Sequence, residues 1–182
     1  MTDRGDWIQT YSGRAFYPLD PRPEDVCMRD IAHALSHLCR FGGHSTRFYS
    51  VAEHSSTLCE YFLLRGDREL ARWALLHDAA EAYLVDVPRP IKSSLTNYRA
   101  IERRIMEAIC TRFALPWEEP AAVREADLRI LTDESRALMA PAPMRWATET
   151  EPLGVHIVGV RPDVARATFS RHALQLFDRM AA

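Results

Sequence analysis

A chain of 182 residues with 23 basic and 25 acidic side chains carries a net charge of −2. It is long enough to bury a core of its own, so residues 1–182 are read as a single domain, and too evenly charged to offer a nucleic-acid polymer a basic face. No apolar run approaches the ~20 residues of a bilayer span, and residues 1–13 hold no apolar targeting segment, so no membrane partner and a cytoplasmic location are expected. The four cysteines, Cys27, Cys39, Cys59 and Cys110, lack the close spacing of zinc knuckles or redox dithiols and read as free thiols in a reducing compartment.

The prolines of FYPLDPRP, residues 16–23, predict an extended arm. A first helix over residues 28–39 puts Ile31, Leu35 and Leu38 on one face, and Gly42-Gly43 breaks the chain after it. Ser50 and Glu53 form a capping box that opens a second helix, closed by Gly66, in which His54, Leu58 and Tyr61 share a face. A third helix, residues 67–84, aligns Leu70, Ala74, His77 and Glu81, so that His77 and Glu81 project the same way. Pro88 and Pro90 remove backbone donors from DVPRPIK, residues 86–92, which predicts a rigid, irregular loop.

A fourth helix follows a Thr96-Asn97 cap with Ile101, Ile105, Ile109 and Phe113 as its stripe. A fifth, residues 120–140, carries Val123, Asp127, Ile130, Leu131, Glu134 and Leu138 on one side. A proline-bearing loop follows, then residues 154–160 as a short strand or extended chain, and a last helix opens at Pro162-Asp163 and ends near Met180. With no repeat or heptad, the fold class is all-α, a bundle of about six main helices.

The chemistry lies in the polar residues that interrupt these stripes. His54, the pair His77-Asp78 and Asp127 each fall on the inward side of a helix, and two imidazoles with two carboxylates suit a divalent ion. Taken singly, the readings stay open. The His77-Asp78 dipeptide is short enough to arise by chance, and His77 or His54 alone reads equally well as a core histidine satisfied by a local carboxylate. Asp127 is harder to satisfy locally, because it sits between Val123 and Ile130 while Arg124 and Arg129 point elsewhere.

The order H…HD…D resembles that of the HD-domain phosphohydrolase superfamily. The stretches SVAEHS, LLHDAAEAYLVDVPRPIK and EADLRIL are similar to those of bacterial 5'-deoxynucleotidases and related phage dATP triphosphohydrolases, over about residues 30–138. Beyond Pro141 no motif assigns a role. The resemblance implies a compact HD-domain helical bundle, a single phosphohydrolase domain, in which His54, His77, Asp78 and Asp127 bind one divalent metal ion per subunit, Zn, Co, Mn or Mg. It makes Glu81 the group that positions or deprotonates the attacking water and Asp86 its partner across the phosphate.

By the same resemblance Arg40-Phe41 meets phosphate or sugar oxygens and packs on the deoxyribose. Phe41 stands where the deoxynucleotidase pattern has tryptophan, a departure that bears on how strictly a 2'-hydroxyl is excluded. Lys92 matches a phosphate-binding lysine, Pro90 packs on a base, and His44 touches phosphate. Read alone, Arg40 equally caps the first helix, Lys92 and Asp86 equally face solvent, and His44 equally fills its turn.

The implied reaction is water attack at the α-phosphorus of a small-molecule deoxynucleotide, a monophosphate or a triphosphate, with a leaning to deoxyadenylates because the proline arm and CRFGGH resemble the phage-type enzymes. A longer phosphate chain needs further cations, for which Lys92, Arg89, His44 and Arg47 are the candidates. A homo-oligomer is expected from the relatives. Two-metal members of the superfamily need histidines between the HD pair and the last aspartate, and none occurs between His77 and His156. A phosphodiesterase on another phosphate ester, a non-catalytic nucleotide sensor and a helical interaction domain without metal are the other readings. Retention of Glu81 speaks against the sensor, and elemental analysis separates the interaction domain.

Overall fold

Ahead of the expected arm the chain forms a hairpin, of which only Phe16 belongs to that arm: β1 (Ile8–Gln9) pairs antiparallel with β2 (Ala15–Phe16), Ile8 opposite Phe16 and Gln9 opposite Ala15. The cause is Phe16, which is fully buried and stacks on Tyr83 with ring centroids 3.8 Å apart. The prolines lie beyond the ladder, where no N–H is needed. This is a computed structural model, and it describes residues 4–177; Met180, the expected end of the last helix, lies outside them.

Helix α1 (Met28–His37) buries Ile31 and Leu35 and stops two residues short of the expected end, Leu38 already being extended. Helix α2 (Val51–Leu63) starts at Ser50, whose hydroxyl accepts the Glu53 N–H at 3.1 Å. The reciprocal half of the capping box is not made. The Glu53 carboxylate instead accepts the N–H groups of Gly159 at 2.8 Å and Val160 at 2.7 Å. Those bonds, with Arg47 Nε donating to the Val158 carbonyl at 2.7 Å, hold residues 154–160 as extended chain and not as a strand.

The single helix expected over residues 67–84 is two. Helix α3 (Arg68–Leu76), capped by Asp67, ends before His77, and α4 (Glu81–Leu84) resumes after four residues of turn. The DVPRPIK loop is not wholly irregular either, since α5 (Arg89–Lys92) is one helical turn. Pro88 is its N-cap and Pro90 lies in its first turn, where a missing N–H costs nothing. Helix α6 (Tyr98–Phe113) begins where expected but without a capping bond from Asn97, and buries Ile105, Ile109 and Phe113. Helices α7 (Ala121–Leu138) and α8 (Pro162–Leu176) complete a mostly helical chain.

Helix α2 packs on α1, α3 and α8, and α7 closes against both α2 and α3. The site residues come from that meeting of α2, α3 and α7. Among the described residues no helix is long and apolar enough to cross a membrane, and all four cysteines are free.

Candidate metal centre

His54 lies on the first turn of α2, fully buried, where the Ser50 cap fixes the backbone. His77 follows α3 directly. There the N–H groups of Ala79, Glu81, Ala82 and Tyr83 bond carbonyls three residues back, the tighter 3₁₀ pattern. His77 helps to cause it, because its Nδ1 takes the Ala74 carbonyl at 2.8 Å, the oxygen that an unbroken α-helix would offer to the Asp78 N–H. Asp127 projects from the middle of α7 toward both histidines. One ligand atom each from His54, His77 and Asp127 lie within 4.8 Å of one another, a group able to hold a metal ion. Asp78 Oδ2 borders it, 3.2 Å from His77 Nε2 and 3.7 Å from His54 Nε2.

The protonation pattern tests whether a cation fits. A carbonyl and a carboxylate only accept, so His77 Nδ1 donates to Ala74 and His54 Nδ1 donates to Glu134 Oε1 at 2.6 Å. Neutral rings so fixed turn two Nε2 lone pairs toward each other across 3.2 Å, with Asp127 Oδ1 also 3.2 Å from His54 Nε2. Lone pairs and carboxylates facing at such distances repel unless positive charge lies among them. His77 shows the demand: burial disfavours its proton, yet the Asp78 charge and hydrogen bonds to Asp127 and Asp78 raise its pKa well above the ordinary value. Imidazole nitrogens with carboxylate oxygens are a donor set that suits a divalent ion.

Glu134 is the residue that sequence reasoning left without a role. It is fully buried, and besides His54 it accepts from Arg40 Nη2 at 3.2 Å. Arg40 also meets Asp78 Oδ2 at 3.5 Å. Burial disfavours the Arg40 charge, but Glu134, Asp78 and Asp127 outweigh it and raise its pKa; burial likewise works against ionised Glu134, and Arg40 and His54 more than offset that. Carboxylate, imidazole and guanidinium thus form a support behind the candidate ligands. The signal was present in the stripe, for Glu134 interrupts the same apolar face as Asp127, two turns on.

The other expected residues scatter. Glu81 is buried beside the cluster with Oε2 unpartnered, and its pKa is pushed up to about 9 by burial and then by the charges of Asp78 and Asp86. Lys92 is neither solvated nor free: its Nζ lies 3.5 Å from Glu81 and 3.0 Å from Glu102 on α6. Asp86 is half-buried, and burial raises its pKa. Just before it Val85 has φ of +67°, a strained conformation for a β-branched residue, which turns the chain between Glu81 and Asp86. Arg89 approaches Asp127 to 3.9 Å. Pro90 is exposed, Phe41 is half-buried against Trp146, and His44 is exposed on the rim of a neighbouring cavity. Arg40 does not cap α1, and it is not open to an anion either.

No family model matches the chain. It is 41% identical over 132 residues, 72% of each chain, to the uncharacterized protein YfdR of Escherichia coli (strain K12). It is 32% identical over 187 residues, covering 93% of this chain and 95% of the other, to the uncharacterized protein RCAP_rcc00048 of Rhodobacter capsulatus.

Proposed function

This chain belongs to the family of YfdR from Escherichia coli, and we propose that it is a metal-dependent deoxynucleotide phosphohydrolase of the HD-domain type. The observation that carries the reading is the pair of imidazole Nε2 atoms 3.2 Å apart, each ring anchored through Nδ1, beside Asp127 and Asp78. A divalent ion held by His54, His77, Asp78 and Asp127 supplies Lewis acidity toward a phosphoryl oxygen and acidifies water.

The chain's own groups do the remainder. Glu81, with an unpartnered oxygen, takes the proton of the attacking water as the P–O bond forms. Burial and the charges of Asp78 and Asp86 raise its pKa to about 9, and positive charge beside Asp78 would offset one of those causes. Asp86, half-buried across the strained Val85 turn, holds the proton for the departing ester oxygen. Arg40 anchors Asp78, and Phe41 packs on the sugar. Of the cations that a long phosphate chain would need, Arg47 is spent on backbone carbonyls and Lys92 on two carboxylates. That favours a deoxynucleoside monophosphate over a triphosphate, with deoxyadenylate the first substrate to try.

One observation favours a second reading, a non-catalytic nucleotide sensor: Glu81 lies 3.5 Å from the Lys92 ammonium, which would compete for its base lone pair. Incubating metal-loaded protein with deoxy- and ribonucleoside mono- and triphosphates separates the two. Release of phosphate or triphosphate supports the hydrolase; tight binding without release supports the sensor; neither metal nor nucleotide binding refutes both.

A further inference from the structure

A cavity of about 750 Å³ is walled by the last turns of α7, by His44 and by residues between Met139 and Glu149. Its volume is that of a small-molecule site, and its walls mix apolar side chains such as Leu131, Met139 and Trp146 with polar ones such as Ser135 and Arg136. A continuous run of side chains joins it to the metal cluster. Trp146 in the cavity wall leans on Phe41 with centroids 6.1 Å apart, the Arg40 guanidinium lies 5.6 Å from the Phe41 centroid, and Arg40 holds Asp78.

Helix α7 sets the scale. Leu131 and Ser135 in the cavity wall follow Asp127 by one and two turns, so the wall begins about 6 Å along the axis and continues to ~12 Å at 1.5 Å per residue. That is the reach from a nucleotide's phosphate to its base. The wall also holds an uncommitted donor: Arg136 is exposed and makes no hydrogen bond or ion pair among the described residues, whereas neighbouring Arg145 is paired with Glu149 at 3.0 Å.

We infer that this cavity receives the base of the substrate, stacked on Trp146, with Arg136 donating to its carbonyl oxygens or ring nitrogens. The inference rests on the deoxynucleotide reading of the metal centre. Trp146 carries the binding because every base has a ring face to stack, while Arg136, which only donates, discriminates among edges.

The test compares Trp146→Ala and Trp146→Phe with the parent protein on deoxynucleoside monophosphates and on 2-deoxyribose 5-phosphate, which has no base. Trp146→Ala is expected to raise KM for the nucleotides ~5- to 150-fold, the effect of losing one base–aromatic stack. Trp146→Phe should stay close to the parent, and Trp146→Ala should lose much less on the sugar phosphate, which has no base to stack, than on the nucleotides. A second assay needs no chemistry: deoxyadenosine binding, followed calorimetrically, should be lost in Trp146→Ala. Nucleotide turnover with unchanged KM in Trp146→Ala overturns the base site and leaves the hydrolase intact. An equal loss on nucleotide and sugar phosphate overturns it too. Deoxyadenosine binding that depends on Trp146, in a protein that hydrolyses no nucleotide, supports the base site and refutes the hydrolase.

Discussion

Glu134→Gln is the change that most directly tests the support behind the ligands. The substitution keeps the volume of a fully buried side chain and leaves an acceptor for His54 Nδ1, but removes the charge that faces Arg40 at 3.2 Å. Breaking a buried ion pair costs about 3–5 kcal/mol when one partner is stranded. Arg40 is not wholly stranded, since Asp78 remains at 3.5 Å, so the lower figure applies, about 3 kcal/mol. For a chain of this length that lowers the melting temperature by roughly 6–12 °C.

The second effect is on the metal. Arg40, with one partner gone, draws harder on Asp78, and His54 loses its anionic partner, so affinity for zinc or cobalt falls ~10- to 100-fold. Thermal unfolding and calorimetric metal titration measure the two separately. Arg40→Met in the same background removes the stranded charge, and is expected to recover stability without recovering metal affinity. A Glu134→Gln protein that binds metal like the parent would refute the reasoning, whatever its melting temperature.

Glu81→Ala should keep its metal and lose ~10²–10⁴-fold in turnover, whereas Asp127→Ala should lose the metal itself, as elemental analysis of the purified variants would reveal; full activity in Glu81→Ala removes that residue from the chemistry. Gly159→Ala forces a Cβ to within 2.9 Å of the Phe48 carbonyl and 2.7 Å of Arg47 Nε at a φ of +79°, so a loss of about 1–3 kcal/mol is expected in chemical denaturation, and an unchanged midpoint counts against the contact. His172 is held below its ordinary pKa of 6.5 by burial, against the opposing pull of Glu60. The unfolded chain therefore binds the proton more readily, so stability present above pH 6.5 is lost as pH falls through the folded value. His172→Gln should flatten that slope, and superimposable pH profiles for variant and parent would exclude His172 as its source.

How much was legible follows from what kind of interaction each residue makes. Ser50 read correctly as a cap because a cap is local, while the partner of Glu53 lies at Gly159, and no spacing rule reaches so far. The stripes of α6 and α7 stood out because periodicity reports burial directly. The break at His77 did not, since it depends on a side chain taking a carbonyl from its own helix, which helix propensity cannot register. His54, His77, Asp78 and Asp127 were found as polar interruptions of apolar faces. Glu134 obeys the same rule, but its role is to hold His54 and Arg40, and neither partner is near it in sequence. The ion pair of Lys92 was not legible for another reason: its partner Glu102 lies on the next helix, and only the fold brings the two together.

The two bonds from Glu53 to Gly159 and Val160 also bear on the order in which the molecule matures. They close a loop of 106 residues, so their entropic cost is high and they form late. Glu53 is the immediate neighbour of His54, so the side chain beside the first proposed ligand gains its partners only once the chain has been made as far as Val160. A ribosome-bound intermediate ending at Leu138 holds every proposed ligand yet lacks this clasp. Capture of the proposed ion would thereby be a late event in synthesis, and metal content in a population of chains would measure how many have folded to completion.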